Sequence, residues 1–264
     1  MTASPLRTAL AGAALLLCSQ AALADITLYS QNFENPVNFV DDGGSVNIFR
    51  TVNDLYGNQP PGFLFAQDFT VETLRVGTPG VWTSLSNPSG AFLDPQGVAG
   101  QYVVSMLSSA QNDLLGLSFN VGAFKFFNLQ LDISSIDLNN WGGPFFDGTA
   151  PTFRLSLYDN PSGAVGLGTG ALLSSADITG TLAANQWTFD WSRRVVGLST
   201  DGNTNGNVTL RIDLLNGGYA AMDNFLIAAS DVQGQVPAIP EPGTWALLGV
   251  GLAGVAWAGR RRRA

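Results

Sequence analysis

Apolar and polar residues alternate one by one along much of this chain. The alternation is clearest at Lys125–Ile133, where every second residue from Phe127 onward is large and apolar. A period of two places one face of a β-strand against a core and leaves the other face toward water. The same pattern predicts strands at Phe153–Leu157, Trp187–Trp191 and Val208–Leu214. Less regular runs predict further strands at Ile26–Tyr29, Val46–Arg50, Phe63–Val71, Tyr102–Leu107, Leu114–Val121 and Met222–Ala228.

Clusters of glycine, proline, asparagine and aspartate separate these runs and favour turns. Examples are Asp41–Gly44, Gln59–Gly62, Asp159–Gly163 and Asp201–Asn203. Sustained helical periodicity is lacking, although a short helix is predicted at Leu172–Ile178. About ten short strands joined by polar turns predict an all-β chain, folded as an antiparallel β-sandwich.

The first 24 residues have the pattern of a secretory signal peptide. Arg7 supplies a positive charge, Leu10–Leu17 is apolar, and Ala22–Ala24 is a small-residue cleavage site. We therefore expect residues 1–24 to be removed and the mature chain to begin at Asp25. An uncleaved membrane anchor is the alternative, but the apolar run is shorter than the roughly 20 residues of a spanning helix. A lipid anchor on Cys18 is not expected, because the bulky Leu17 precedes it.

A second apolar segment lies near the other end of the chain. A polar, proline-rich spacer leads into Pro240, Glu241 and Pro242, and an uncharged apolar run follows at Thr244–Gly259. A helix over that run would be about 24 Å long, close to the thickness of a bilayer core. The run is followed by four arginines: Arg260, Arg261, Arg262 and Arg263. The positive-inside rule places these arginines in the cytoplasm, so we predict one transmembrane helix with the folded domain outside.

The order of these three elements resembles the PEP-CTERM sorting signal, a tail also called the ice-binding protein C-terminal domain. The resemblance covers residues 237–264 and divides the chain into a signal peptide at 1–24, an exported domain at 25–236 and a sorting tail. It implies a Gram-negative host, transient anchoring in the inner membrane, and recognition by an exosortase-type membrane protease. It also implies a final location at the cell surface or in an extracellular matrix, in an exopolysaccharide or biofilm setting.

Composition narrows the chemistry open to the exported domain. The chain has no histidine, and its one cysteine lies in the predicted signal peptide. A Ser-His-Asp relay, a thiolate zinc site and a cysteine nucleophile are therefore excluded from the mature domain. Removing the two terminal segments leaves seven basic and 19 acidic residues, a formal charge of −12. Such a domain repels phosphate backbones and attracts cations, so we expect no nucleic-acid partner.

Two short motifs near the ends of the exported domain resemble the ends of jelly-roll carbohydrate-binding modules. They are Asn32–Asn35 and Met222–Phe225. In those modules the first and last strands share a structural calcium, so the resemblance implies a jelly-roll-like sandwich with Glu34 and Asp223 as metal ligands. Asp25 is a further candidate ligand. Asp223 shares strand parity with Phe225 and would face inward unless the register breaks, and a buried carboxylate needs a cation or hydrogen-bond donors. A solvent-facing acid at a strand end is the alternative.

Trp141 is the candidate ligand-binding residue, because Asn139, Asn140, Gly142 and Gly143 place it in a loop. An aromatic ring flanked by amides suits contact with a sugar, and capping one end of the sandwich is the alternative role. We interpret Trp187 and Trp191 as core residues. The sequence therefore predicts a non-enzymatic surface or matrix protein. The alternatives are a carbohydrate-binding module or a carbohydrate-active enzyme using Glu34 and Glu72, the only glutamates of the domain.

Overall fold

The computed structural model describes residues 25–40, 46–47, 50–56, 64–65, 71–77, 92–107, 114–137 and 148–237. Within these ranges no helix is long and apolar enough to cross a membrane. The predicted signal peptide, Trp141, the Pro240–Pro242 motif and the Arg260–Arg263 run lie outside the described residues.

Nearly all regular structure in these ranges is β-strand. The one helix, α1, is the single turn Val52–Leu55, which Thr51 caps by accepting a hydrogen bond from the Asp54 amide. The strands are β1 Ile26–Gln31, β2 Val46–Asn47, β3 Leu64–Phe65, β4 Val71–Gly77, β5 Phe92–Leu93, β6 Tyr102–Leu107, β7 Leu114–Asn120, β8 Phe126–Ser135, β9 Thr152–Asp159, β10 Leu172–Thr179, β11 Ser192–Ser199, β12 Asn207–Asn216 and β13 Tyr219–Ser230.

The strands form two sheets. Sheet A has the order β11-β8-β13-β6-β4-β2, with β1 also beside β13 and β5 beside β4. Sheet B has the order β10-β9-β12-β7-β3. Apart from the parallel β4–β5 pair, the strand pairs are antiparallel. The predicted all-β, antiparallel fold class is confirmed.

β13 is the central strand of sheet A. β8 pairs with one edge of β13, both before and after a shift in register between Asp223 and Leu226. The other edge of β13 is shared by two strands. β6 pairs with Tyr219–Met222, and β1 pairs with the second half, from Phe225 to Ala229. The first and last strands of the domain are therefore direct neighbours.

The main core lies between the two sheets and follows the alternation of the sequence. On β8 the buried residues Phe127, Leu129, Leu131 and Ile133 face sheet B, and apolar residues of β7, β9 and β12 meet them. Burial of each such side chain contributes roughly 1.5–3 kcal/mol, so this layer supplies the main driving force for folding.

A second apolar cluster covers the outer face of sheet A. On β6, Val104 and Met106 belong to the main core, whereas Val103 and Leu107 belong to this second cluster. Phe92 packs against Trp187 and Phe189 there, with ring centroids 5.7 and 5.4 Å apart. Part of the outer face is thus covered by aromatic side chains rather than exposed to water.

Three sequence predictions are corrected. The predicted helix at Leu172–Ile178 is strand β10, because pairing with β9 outweighs weak local preference. Trp187–Trp191 is not a strand: Trp187 has φ 56°, and Thr188 makes only an isolated bridge to Leu93. Trp187 and Trp191 are nevertheless buried, as expected of core residues. The predicted strand Phe63–Val71 corresponds to β3 and the start of β4.

The hairpin that leads into β13 depends on glycine. Gly217 and Gly218 have φ 98° and 71°, and a Cβ on Gly217 would lie 2.8 Å from the Cα of Pro151. We expect Gly217→Ala to lower the free energy of unfolding by about 2–5 kcal/mol, through left-handed strain plus steric overlap. Urea denaturation measures the loss. Gly122→Ala is the control, because Gly122 has φ 59° but open space around it; equal losses for the two variants would contradict the steric argument.

Candidate functional site

A β-bulge interrupts β13 at the position of the second sequence motif. The register with β8 shifts between Asp223 and Leu226, and Asn224 has φ 52°. Asp223 lies opposite Asp132 on the outer face of sheet A, whereas Phe225 returns to the main core. The break in register that an outward-facing Asp223 requires is therefore present.

Asp223 is buried with one unsatisfied oxygen. Its exposed fraction is 0%, its Oδ1 accepts a 2.6 Å hydrogen bond from the Asn224 amide, and its Oδ2 has no hydrogen-bond partner among the described residues. Burial is the main cause that raises the pKa of Asp223 to about 8; the negative charges of Glu34, Asp132 and Asp94 act in the same direction, and the hydrogen bond from Asn224 opposes them. The surroundings of Asp223 are thus short of positive charge.

Glu34 lies beside the bulge because β1 runs antiparallel to β13. Gln31 pairs with Phe225, so the residues after β1 continue alongside Asn224 and Asp223. Both carboxylate oxygens of Glu34 accept the Gln101 amide, at 2.9 and 2.8 Å. A Cβ on Gly100 would overlap this carboxylate, at 2.0 Å from Oε1, so glycine is needed for the close approach. The structure brings both predicted ligands to the bulge within β13, just beyond the C-terminal end of β1.

Asp25 lies at the opposite end of β1 and is not part of this site. Ile26 pairs with Ala229, and the Asp25 carboxylate accepts a 2.8 Å hydrogen bond from Gln235. The distance along the strand from there to Asp223 is roughly 20 Å at about 3.3 Å per residue. The suggestion that Asp25 contributes to the same ion is therefore wrong.

A strap formed by residues 92–101 crosses the outer face above Asp223. Asp94 shapes it by accepting hydrogen bonds from the amides of Gln96, Gly97 and Ala99. The Gln96 side chain bonds the backbone of Trp191, donating to its carbonyl and accepting from its amide. The strap is fastened to β13 where Asn224 Nδ2 donates to the Val98 carbonyl at 3.1 Å.

The neighbouring carboxylate, Asp132, is fully satisfied. Arg193 binds it in a bidentate fashion through Nε and Nη2, each at 3.0 Å, and Asn224 Nδ2 donates to Oδ2 at the same distance. This hydrogen bonding raises the pKa of Arg193. The Arg193 side chain remains 59% exposed, whereas that of Asp132 is buried. Asp132 thus has a basic partner, whereas no described ion pair includes Asp223 or Glu34.

The donor set at Asp223 fits a hard cation. Carboxylate oxygens and backbone carbonyls are the ligands that calcium prefers, and this site has no competing histidine or cysteine. Within the described ranges, no group of three or more acidic, histidine or cysteine residues forms a metal site. An ion at Asp223 and Glu34 would therefore take its remaining oxygens from carbonyls and water.

Glu72, the other glutamate of the domain, lies elsewhere on sheet A. It is opposite Ser105 of β6 and accepts a hydrogen bond from the Tyr219 hydroxyl, which also contacts Ser105. Glu34 is bound to Gln101, four residues before Ser105 on the same stretch of chain. The two glutamates thus lie beside backbone positions that are roughly 13 Å apart along the strand direction.

The C-terminal tail matches a known protein family. Residues 238–263 match the PEP-CTERM protein-sorting motif. The chain carries an exosortase sorting signal. The predicted resemblance is confirmed, and the PEP-CTERM motif implies an exported protein, transiently anchored in the membrane and processed by an exosortase. No curated protein sequence matches the chain.

Several solved structures have a similar arrangement of strands. A cyclase from Fischerella sp. TAU has a TM-score of 0.49 and 14% identity, over 79% of this chain and 99% of the cyclase. The CBM22-1 xylan-binding domain of Paenibacillus barcinonensis Xyn10C has a TM-score of 0.41 and 10% identity, over 79% of this chain and 97% of that domain. A CBM4 structure has a TM-score of 0.36 and 8% identity, over 76% of this chain and 97% of the CBM4 chain.

Proposed function

We propose that the exported domain is a non-enzymatic surface or extracellular-matrix protein that associates with exopolysaccharide in a biofilm. The sorting motif at 238–263 is the observation that carries this proposal. The composition supports it, since the domain has neither histidine nor, once the signal peptide is removed, cysteine. Glu34 and Glu72 contact different parts of the domain, Gln101 and Tyr219 respectively, and this also supports the proposal. Polysaccharide turnover lost on replacing Glu34 or Glu72 would overturn the non-enzymatic assignment.

Processing of the tail provides the direct test. We expect the extracellular form to lack Arg260–Arg263, and intact-mass analysis of protein from the culture medium measures this. Glu241→Ala is expected to leave the tail uncleaved and the protein in the membrane fraction, because the substitution disrupts the sorting motif. Thr244→Ala, just outside Pro240–Pro242, is the matched control. An extracellular protein that retains all four arginines would defeat the proposal.

We further propose that one structural calcium ion ties the first strand to the last. Support comes from the buried, unpartnered Oδ2 of Asp223, the adjacent carboxylate of Glu34, and the absence of a basic partner for either among the described ion pairs. A bound cation would neutralise the acidic pair and supply the missing partner of Asp223. Glu34 and Asp223 would hold the ion, and Gly100 would leave room for the Glu34 carboxylate.

Carbohydrate recognition through Trp141 remains a separate hypothesis about the same domain. The sequence predicts a loop at Trp141, and a planar indole ring in such a position suits stacking on a sugar. Trp141→Ala is expected to abolish binding on a glycan array if this residue forms the binding site. Unchanged binding would assign recognition to another part of the domain.

A further inference from the structure

A polar groove of about 420 Å³ crosses the outer face of sheet A beside the Asp223 bulge. Residues of four neighbouring strands line it: Arg193 of β11, Gln130 of β8, Asn224 and Phe225 of β13, and Ser30 and Gln31 of β1. Four adjacent strands give the groove a span of roughly 14 Å perpendicular to the strands. Its volume is in the range of small-molecule and oligomer binding sites.

Two segments bound the groove along the strand direction. At one end the strap supplies Val98, which is fastened to Asn224. Toward the other end the chain after β13 covers the neighbouring row: the Gly234 amide donates to Asn128 Oδ1 at 2.7 Å, and Gln233 donates to the Gly197 carbonyl at 2.9 Å. The strap therefore bounds the groove at one end, and the chain after β13 covers the row of residues next to it on the other side.

The lining is rich in amide groups and contains no carboxylate. Gln31, Asn32, Gln130 and Asn224 contribute side-chain amides, and Arg193 contributes its guanidinium. The Gln130 amide takes no part in the hydrogen bonds found among the described residues. Arg193 uses Nε and Nη2 to bind Asp132, so its orientation is fixed before a ligand arrives. These groups can donate to and accept from neighbouring hydroxyl groups.

The charge distribution selects against anionic ligands. Arg193 is the one charged group that lines the groove, and Asp132 already neutralises it. The negative charges of Glu34, Asp94 and Asp223 act on one another beside Asn224, which lines the groove, and the exported domain as a whole carries a formal charge of −12. Long-range repulsion therefore opposes a uronate or phosphate polymer, whereas an uncharged ligand rich in hydroxyl groups meets no such penalty.

We propose that this groove binds a neutral polysaccharide chain, with Gln130 and Arg193 as central contacts. The inference rests on the proposed association with extracellular polysaccharide and gives that association a site and a ligand class. It differs from recognition through Trp141, which lies outside the described residues. Asn224 lines the groove and also bonds Asp132 and the strap, so the groove wall is built by the same bulge that buries Asp223.

Affinity electrophoresis of the exported protein, with calcium present, tests the proposal. The probes are neutral dextran, galactomannan and xyloglucan, compared with the uronate polymers alginate and polygalacturonate. We expect retardation by at least one neutral polymer and none by the uronates. Gln130→Ala should weaken binding about fivefold through loss of hydrogen bonds, and Gln130→Trp should abolish it by filling the groove. Gln186→Ala, outside the groove, should bind as wild type does.

Gln130 is the better test position, because replacing Arg193 would leave Asp132 buried without its partner and could unfold the domain. If the Gln130→Trp variant still binds a neutral polysaccharide, the groove is not the binding site. That result would not contradict the proposed surface or matrix function. Binding to the uronate polymers alone would contradict the proposal that the ligand is a neutral polysaccharide. No binding to any probe would overturn the groove proposal, and the mass analysis of the sorted form would still decide the sorting route independently.

Discussion

Calcium is expected to raise the thermal midpoint of the exported domain by about 5–10 °C at one hundred times its dissociation constant. An ion that binds only the folded state adds about 2.7 kcal/mol under that condition. Asp223→Asn should abolish the shift, because it removes the charge that attracts the ion. Without calcium, the same variant should be as stable as wild type or more stable, since it no longer buries an unpartnered carboxylate. Thermal melts with calcium and with chelator measure both effects.

Asp201→Asn is the matched control for this experiment. Asp201 is exposed, in the turn between β11 and β12, and an isosteric change there should leave the calcium shift intact. Identical wild-type midpoints with calcium and with chelator would rule out the site. A shift that survives Asp223→Asn would place the ion elsewhere.

Phe33→Ala is expected to cost about 3–5 kcal/mol of unfolding free energy. Phe33 is fully buried where the chain leaves β1, and its ring packs edge-on against Tyr56 and Phe225, with centroids 5.3 and 5.5 Å away. The truncation therefore opens a cavity between the first strand, the last strand and the segment after α1. Typical domains are stable by only 5–15 kcal/mol, so the loss is a large share of the total. The urea midpoint at unchanged m-value measures it.

Val37→Ala is the control for the Phe33 experiment. Val37 is 52% exposed in the same segment, so the change should cost less than about 0.5 kcal/mol. A loss below about 1 kcal/mol for Phe33→Ala would show that the junction of the terminal strands relaxes around the cavity.

The fold class could be predicted because several long strands alternate apolar residues that face the main core with polar residues on the other face, although β13 is buried on both faces. β8 and β12 follow strict alternation, and both were predicted close to their observed bounds. β11 was missed because its two arginines and small residues mask the alternation, and its position depends on pairing with β8. Trp187–Trp191 has the strand pattern but belongs to an irregular segment held by Gln96 and Leu93. Its alternate residues are buried by long-range contacts that periodicity does not reveal.

The candidate site was accessible from sequence only in part. The proximity of Glu34 and Asp223 followed from the resemblance of the terminal motifs, and the register of β1 on β13 supplies its physical basis. The strap at 92–101, the role of Gly100 and the polar groove could not be predicted, because they depend on contacts across long stretches of sequence. For the strap, the sequence Asp94-Pro95-Gln96-Gly97 indicates a turn, but it does not indicate that the turn lies over Asp223.

The position of β13 at the centre of sheet A also determines the order in which the domain can fold. During synthesis, β8, β6 and β1 are all made before the strand that joins them, and β1 must wait until almost the whole domain has been produced. Contacts of such wide sequence separation close slowly. Because β13 ends at Ser230, shortly before the sorting motif at 238, the sheet is completed only when the tail is next to emerge. Sheet A therefore cannot close until nearly the whole exported domain has been synthesised, whereas all the strands of sheet B are made before β13.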